Sequence, residues 1–287
     1  MKVKNQDNLH AWMSNNAVIG NLRIDQLILP GSHDSGSHKR QRPQLQLPHE
    51  ITQDLPPIEQ VRNGIRSLDL RVRFCRQFAA GDPRRFQLTH MNSVGRSLEE
   101  DLITPLLAYY DEADTQREII ILDLHQLKDF TPAAHEELQQ VLAARLGHRC
   151  LPYDAIGKKL VYLWLENPGK TLVLAYRGPA WNALIWKPVN QRWSESNTLP
   201  THQLKNFMDK VAREHKPDEE LRSIQCARYA LPLFLPDDFS DKIDLWFHSE
   251  DEQSYIQQFY IINTDWSLRS RIVANCIHAS VVKALSR

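Results

Sequence analysis

The run EIIILDL at residues 118–124 restricts the possible folds more than any other stretch of the chain. A half-exposed strand alternates apolar and polar residues, whereas this run is almost continuously apolar and rich in branched side chains. That pattern suits a parallel strand covered on both faces. Parallel strands need crossover connections of a dozen or more residues, usually helices. The flanking sequence supplies them. An amphipathic helix is expected over 97–110, with Ser97 as its cap, Glu99, Glu100 and Asp101 in its first turn, and Pro105 as an interruption. A second is expected from the Thr131 cap and Pro132 to about Gly147.

The same alternation runs along the whole chain. Strands are expected at 26–30, 65–73, 86–90, 118–124, 171–176, 223–229 and 259–263. Further helices are expected at 58–63, stopped by Gly64, at 158–166, at 202–215 and at 267–285. Residues 178–200, with Trp181, Trp186 and Trp193, read as an aromatic-rich loop. A length of 287 residues suits one large α/β barrel or two ordinary domains. Strand–helix alternation throughout favours the barrel. The expected fold is therefore α/β, a distorted (βα)8 TIM barrel in a single domain, with 1–25 as a lead-in segment over one end and 26–287 forming the barrel.

Charge and cysteine usage narrow the function classes. Lys plus Arg and Asp plus Glu each total 35, so no global basic field favours nucleic acid, and none is expected as a partner. Cys75, Cys150, Cys226 and Cys276 lie far apart without a CxxC spacing. They read as reduced or buried thiols, not as a disulfide framework or zinc site. The first residues have no apolar core, and no stretch approaches the roughly 20 apolar residues that span a bilayer. Without a signal peptide or transmembrane segment, the expected location is cytoplasmic, or outside the cell by a signal-independent route.

The polar residues at strand ends carry the chemistry. The first strand runs into Pro30-Gly31 and delivers Ser32, His33, Asp34 and Ser35. Alone, a His-Asp pair after such a turn is more often a solvated loop or a helix cap. The second strand adds Asp69 and Arg71, two apart and so on one face. The third ends in His90, the fourth in Asp123 and His125, and the late strand in Asp265. Barrels gather their chemistry at the C-terminal ends of strands. Charges there are costly to bury unless paired or used. An ion network that only holds the barrel end together, Asp69 with Arg71 and Asp265 with His33, is the structural alternative. Two histidines with carboxylates and one arginine suit a phosphodiester reaction without a metal. One imidazole removes a proton from the attacking hydroxyl, the other protonates the leaving oxygen, and the guanidinium stabilises the phosphate charge.

The segments LPGSHDSGSH, NGIRSLDLRV, LTHM and REIIILDLHQL, in this order and spacing, resemble the X domain of phosphatidylinositol-specific phospholipases C. The resemblance is to the bacterial enzymes and to proteins made of an X domain alone, and it covers nearly the whole chain. It implies cleavage of phosphatidylinositol between glycerol and phosphate by attack of the inositol 2-hydroxyl, releasing diacylglycerol and inositol 1,2-cyclic phosphate. It also implies the roles. His33 is the general base, His90 the general acid, Asp34 the carboxylate assisting the acid, Arg71 the phosphate ligand, Asp69 the group orienting Arg71, and Asp265 the support of the base.

Arg71 stands where the calcium-dependent branch places a carboxylate, so a site without metal or other cofactor is expected. His125 departs from the family, which places a Lys or a carboxylate there. Arg177 matches a position that contacts inositol hydroxyls, and Trp193 offers a flat face to the ring; a solvated arginine and a packed tryptophan are the plain readings. The implied partner is a membrane surface containing phosphatidylinositol, met peripherally by a monomer. Candidate contacts are Trp181, Leu184, Ile185 and Trp186, then Leu231, Leu233, Phe234 and Leu235, with Lys39, Arg40 and Arg42 toward anionic headgroups. A glycerophosphodiester phosphodiesterase and an inactive X-domain module that binds inositol phosphates or membranes are the competing readings.

Overall fold

The computed structural model describes residues 8–40, 47–196, 198–251 and 253–287. Its strands are β1 (Leu29–Ser32), β2 (Ser67–Phe74), β3 (Phe86–Leu88), β4 (Arg96–Ser97), β5 (Ile120–Lys128) and β6 (Leu172–Tyr176) in the first part of the chain. β7 (Ile185–Trp186), β8 (Asn190–Arg192), β9 (Arg222–Cys226), β10 (Tyr229–Ala230), β11 (Leu235–Pro236) and β12 (Ile261–Thr264) follow. Eight of them form a parallel sheet in the order β7-β6-β5-β2-β1-β12-β9-β8, curled into a half-barrel. β7 and β8 are the two ends of the sheet, although few residues separate them in the chain. Among the described residues they do not pair, so the barrel stays open there.

The helices are α1 (Trp12–Asn15), α2 (Pro57–Arg62), α3 (Thr104–Tyr110), α4 (Pro132–Leu146), α5 (Leu160–Glu166), α6 (Thr201–Ala212), α7 (Ser240–Trp246) and α8 (Ile272–Leu285). The Thr131 hydroxyl accepts from Ala134 N at 3.2 Å and Pro132 opens α4, as its sequence predicts. Gly64, at φ 99°, ends the α2 segment in a conformation that favours glycine. β5 is central and buried through Leu124, with Ile120, Ile121 and Leu122 in the core beside Leu68 and Leu70 of β2 and Val173 and Leu174 of β6. Each such side chain contributes about 2 kcal/mol by leaving water.

Several elements differ from the sequence reading. β1 begins later, and Pro30-Gly31 lies inside the strand instead of turning out of it. A Cβ on Gly31 would sit 2.0 Å from Asn263 Oδ1 of β12, so the close approach of these strands requires glycine. β3 is no barrel strand: it pairs antiparallel with β2 and β4 as a flap beyond the barrel. The expected helix at 97–110 opens with a π-helical turn, Glu99–Ile103, before α3. The loop at 178–200 contains β7 and β8, and 223–229 divides into β9 and the start of a β10–β11 hairpin. The four cysteines are buried free thiols. No helix among the described residues is long and apolar enough to cross a membrane.

The lead-in covers the end of the sheet opposite the polar cluster. Trp12 Nε1 donates to Gly64 O at 3.1 Å, and Arg66, fully buried, donates to Glu118 Oε2 through Nε at 3.0 Å and Nη2 at 2.6 Å. Arg66 also reaches Val61 O at 2.8 Å and His10 O at 2.7 Å, while Glu118 accepts from Met13 N at 3.2 Å and Ser14 N at 2.8 Å. One ion pair thus joins the lead-in to the residue before β2 and to the segment just before β5. Breaking a buried pair strands a charge, which costs about 3–5 kcal/mol. Glu118→Leu should lower unfolding stability by that amount in urea titration; a loss below about 1 kcal/mol would contradict this account of the pair.

Candidate active site

The polar cluster begins where β1 ends. His33 N donates to Thr264 O at 3.1 Å, continuing the β1–β12 ladder, and Ser35 N donates to Asp69 O at 2.8 Å on β2. Between them Asp34 adopts φ 42°, a left-handed conformation that Asp tolerates better than most residues. The consequence is that adjacent side chains part company. Gln53 Nε2 fastens the turn by donating to His33 O at 2.8 Å and Thr264 O at 2.9 Å, and Thr52 Oγ1 donates to Asp34 O at 2.9 Å.

His33 turns toward β12, where its Nδ1 lies 2.7 Å from Asp265 Oδ1. A carboxylate there places the proton on Nδ1 and leaves the Nε2 lone pair free to accept, and Arg71 Nη2 stands 2.8 Å from it. Burial pushes the His33 imidazolium down, but the charge and hydrogen bond of Asp265 outweigh it, against Arg71, and its pKa is raised. Asp265 is likewise raised, by burial first, against the pull of His33.

Asp34 turns the other way. Its Oδ2 lies 3.1 Å from His90 Nδ1 and 3.5 Å from Arg71 Nη1. His90 Nδ1 also lies 2.7 Å from Glu50 O, so that nitrogen carries the proton of the neutral ring. Burial, ahead of Arg71 and His33, raises the Asp34 carboxyl to about 6. Burial and then the Arg71 charge push His90 down to about 3. Together they hold His90 neutral. Arg71 sits between the two histidines, and its Nε and both Asp34 oxygens are buried without a hydrogen bond of good geometry. That unused capacity surrounds the space between the imidazoles.

Asp69 lies behind this layer. It makes no hydrogen bond to Arg71 among the described residues; its Oδ2 instead accepts from Asp34 N at 3.4 Å and Gln225 Nε2 at 3.5 Å. Its expected orienting contact with Arg71 is thus replaced by an interaction of charge. Burial raises the Asp69 carboxyl, but Arg71 and then His33 win and hold it below its ordinary value. Its register partner Asp123 is raised well above the ordinary range, by burial and then by Asp69. Of these two neighbouring buried carboxyls, Asp123 holds a proton the more strongly.

β5 carries a bulge against β2: Leu70 pairs with Leu124, but Arg71 pairs with Gln126. His125 is the extra residue, so both it and Gln126 face the site, where simple alternation would send Gln126 away. Two cavity lobes meet at His33 and Arg71. One, of 440 Å³, is lined by His125, Arg177, Gln191, Trp193 and Gln225. The other, of 510 Å³, is lined by Thr89, His90, Met91 and Tyr229. Burial lowers His125, whose Nδ1 has no hydrogen bond. A larger cavity, of 1050 Å³ beside the β3–β4 flap, shares no residue with either lobe.

Sequence reasoning missed Gln191, Gln225 and Tyr229. An amide chain links the first two to the carboxyls: Gln225 Nε2 donates to Gln191 Oε1 at 2.9 Å, and Gln191 Nε2 to Asp123 Oδ2 at 2.7 Å. Gln191 lies on β8, two residues before Trp193, and that same-face spacing was its only signal. Tyr229 Oη lies 3.2 Å from His90 Nε2.

The membrane-facing candidates divide. Leu231, Leu233 and Phe234 are 63%, 71% and 54% exposed at the tip of the β10–β11 hairpin, and Leu235 is half-buried. Trp181 is also exposed and Leu184 half-buried. Ile185 and Trp186 do not belong with them: both are buried in β7, and Trp186 Nε1 donates to Leu151 O at 2.9 Å. Lys39 and Arg40 are paired with Asp54 and Glu59, at 2.8 Å and 2.6 Å, instead of standing free for headgroups. Arg42 lies outside the described residues.

No protein-family model and no curated protein matches the chain. Solved structures do. The phosphatidylinositol-specific phospholipase C of Listeria monocytogenes superposes with a TM-score of 0.70 at 17% identity, over 95% of this chain and 98% of that one. A structure of the Staphylococcus aureus phosphatidylinositol-specific phospholipase C gives 0.67 at 15% identity, over 95% and 99%. Another, concerned with modulation of that protein's membrane binding, gives 0.63 at 15% identity, over 95% and 97%. The chain has the fold of the bacterial phosphatidylinositol-specific phospholipases C.

The raised Asp34 carboxyl has a measurable consequence. Its folded pKa of about 6 exceeds the ordinary 3.8, so its stabilising protonated form is fully present below pH 4 and is lost as pH rises through 6. The difference corresponds to about 3 kcal/mol. Relative to Asp34→Asn, which cannot titrate, the native protein should lose stability between pH 4 and pH 7 in urea titrations. A difference that stays flat across this range would contradict the assignment.

Proposed function

We propose that this protein is a phosphatidylinositol-specific phospholipase C, a phosphorus–oxygen lyase acting by general acid–base catalysis without a metal. The observation that carries the reading is the pair of histidines on either side of Arg71, each with its own carboxylate, facing one cleft: His33 with Asp265 at 2.7 Å and His90 with Asp34 at 3.1 Å. A protein that only bound inositol phosphates would gain nothing from an acid and a base held apart in this way.

In this reading the inositol ring occupies the 440 Å³ lobe, with His125, Arg177 and Gln191 toward its hydroxyls and Trp193 along its face. The phosphate lies against Arg71. His33 Nε2 takes the proton of the 2-hydroxyl, whose oxygen forms a new bond to phosphorus, while Asp265 stabilises the resulting imidazolium. The bond from phosphorus to the glycerol oxygen breaks, and His90 gives that oxygen its proton. Diacylglycerol and inositol 1,2-cyclic phosphate leave. Substrate itself prepares the acid: the negative diester offsets the Arg71 charge, the second cause of the low His90 pKa, and so raises it. The exposed Leu231, Leu233 and Phe234 beside the 510 Å³ lobe suit transient contact with the bilayer that holds the substrate.

A glycerophosphodiester phosphodiesterase of related fold would need a cluster of metal-binding carboxylates. The one such group among the described residues, His10 with Glu112 and Asp114, shares no residue with the site, and Glu112 is also ion-paired with Arg62. Wild-type protein should therefore cleave phosphatidylinositol vesicles, and His33→Ala and His90→Ala should each lose at least about a hundredfold in rate while remaining folded. Vesicle binding by the wild type with no turnover would establish the binding module instead.

A further inference from the structure

Tyr229 connects the site to the exposed β10–β11 hairpin. Its hydroxyl is 3.2 Å from His90 Nε2, the nitrogen that must face the leaving oxygen. The other ring nitrogen is engaged by Glu50 O at 2.7 Å and Asp34 at 3.1 Å, so in the neutral ring Nε2 is an acceptor and the tyrosine donates to it. In this state His90 Nε2 carries no proton and its lone pair is occupied. The acid is idle.

Tyr229 is also the first residue of the β10–β11 hairpin, paired with Pro236 in β11. Its ring is buried, whereas Leu231, Leu233 and Phe234 at the other end of the same hairpin are 63%, 71% and 54% exposed. The hairpin is tethered at its base, by the Arg228–Asp237 ion pair and by Trp266 Nε1 donating to Pro236 O at 3.1 Å. A lever of this kind has an apolar end that gains from entering lipid and a polar end that holds the acid. Burying three such side chains outweighs one neutral hydrogen bond. Moving the hairpin outward by less than an ångström is enough to carry the hydroxyl beyond bonding distance.

We propose that Tyr229 is a latch on His90, closed in the free protein and opened when the hairpin tip enters a lipid surface, so that turnover depends on the interface. This rests on the proposed reaction for its kinetic consequence, but the latch itself can be observed without turnover. Tyr229 is a positioning residue here, not a catalytic one.

The test compares a monomeric short-chain phosphatidylinositol with vesicles of phosphatidylinositol in phosphatidylcholine. Wild type should act faster on vesicles. Tyr229→Phe should raise the monomer rate about fivefold, the worth of one neutral hydrogen bond, with little change on vesicles. It should also raise the His90 pKa, read by nitrogen-15 NMR, since removing the donor destabilises the neutral ring. Substrate-free phosphatidylglycerol vesicles should shift the His90 Nε2 resonance in wild type but not in the Leu233→Ser/Phe234→Ser double variant. Tyr229→Phe lowering both rates together, or leaving rates and His90 resonance unchanged, would overturn the latch. A wild type that cleaves neither substrate would overturn the proposed reaction, and the NMR arm would then decide the latch alone.

Discussion

A guanidinium held 2.8 Å from one imidazole and 3.5 Å from the carboxylate of the other is the constraint around which this protein is arranged. Arg71 is a fixed positive charge at the mouth of an apolar barrel, and it needs negative partners to be there at all. Asp34 and Asp69 are the largest sources of its raised pKa after burial has pulled it down. They in turn need Arg71: without it, Asp69 beside Asp123 would place two uncompensated carboxyls in adjacent strands. The same charge lowers His90 and opposes protonation of His33. One side chain thus bears on the protonation of both histidines, Asp34 and Asp69.

The scaffold separates this cost from the source of stability. The two ends of the sheet are built differently. At the starts of β2 and β5, Arg66 and Glu118 form a fully buried pair whose remaining donors and acceptors are satisfied by the lead-in backbone. At the opposite end, Asp34, Arg71, Asp123 and Asp265 keep buried atoms without hydrogen bonds. Unsatisfied groups of this kind destabilise a fold by about 1–3 kcal/mol each. In the proposed reaction the substrate completes them, its phosphate accepting from Arg71 Nε and its hydroxyls donating to carboxylate oxygens, which an ion network that only holds strands together would not require.

The sequence made the scaffold legible where residues served one purpose. β5 announced itself as a covered parallel strand, and the α4 cap and the Gly64 stop formed where local chemistry required them. Short elements were hidden: β7 and β8, of two and three residues, are too brief to show a period, and they took Gln191 with them. The motifs marked both histidines and their acids, and the structure brings these together from β1, β2, β12 and the segment after β3. What they could not convey was local departure from regular geometry. The bulge at His125 turns Gln126 into the site, and the left-handed Asp34 lets Asp69 spend its oxygen on the backbone instead of on Arg71. The place of Tyr229 depends on a hairpin that the run at 223–229 concealed.

In the proposed reaction an inositol hydroxyl on the substrate, and not water, is the first nucleophile. Phosphorus NMR of phosphatidylinositol vesicles during turnover tests it most directly. An inositol 1,2-cyclic phosphate resonance should appear first, before any acyclic inositol phosphate. Acyclic inositol phosphate as the earliest product, or glycerophosphate released with free inositol, would contradict it.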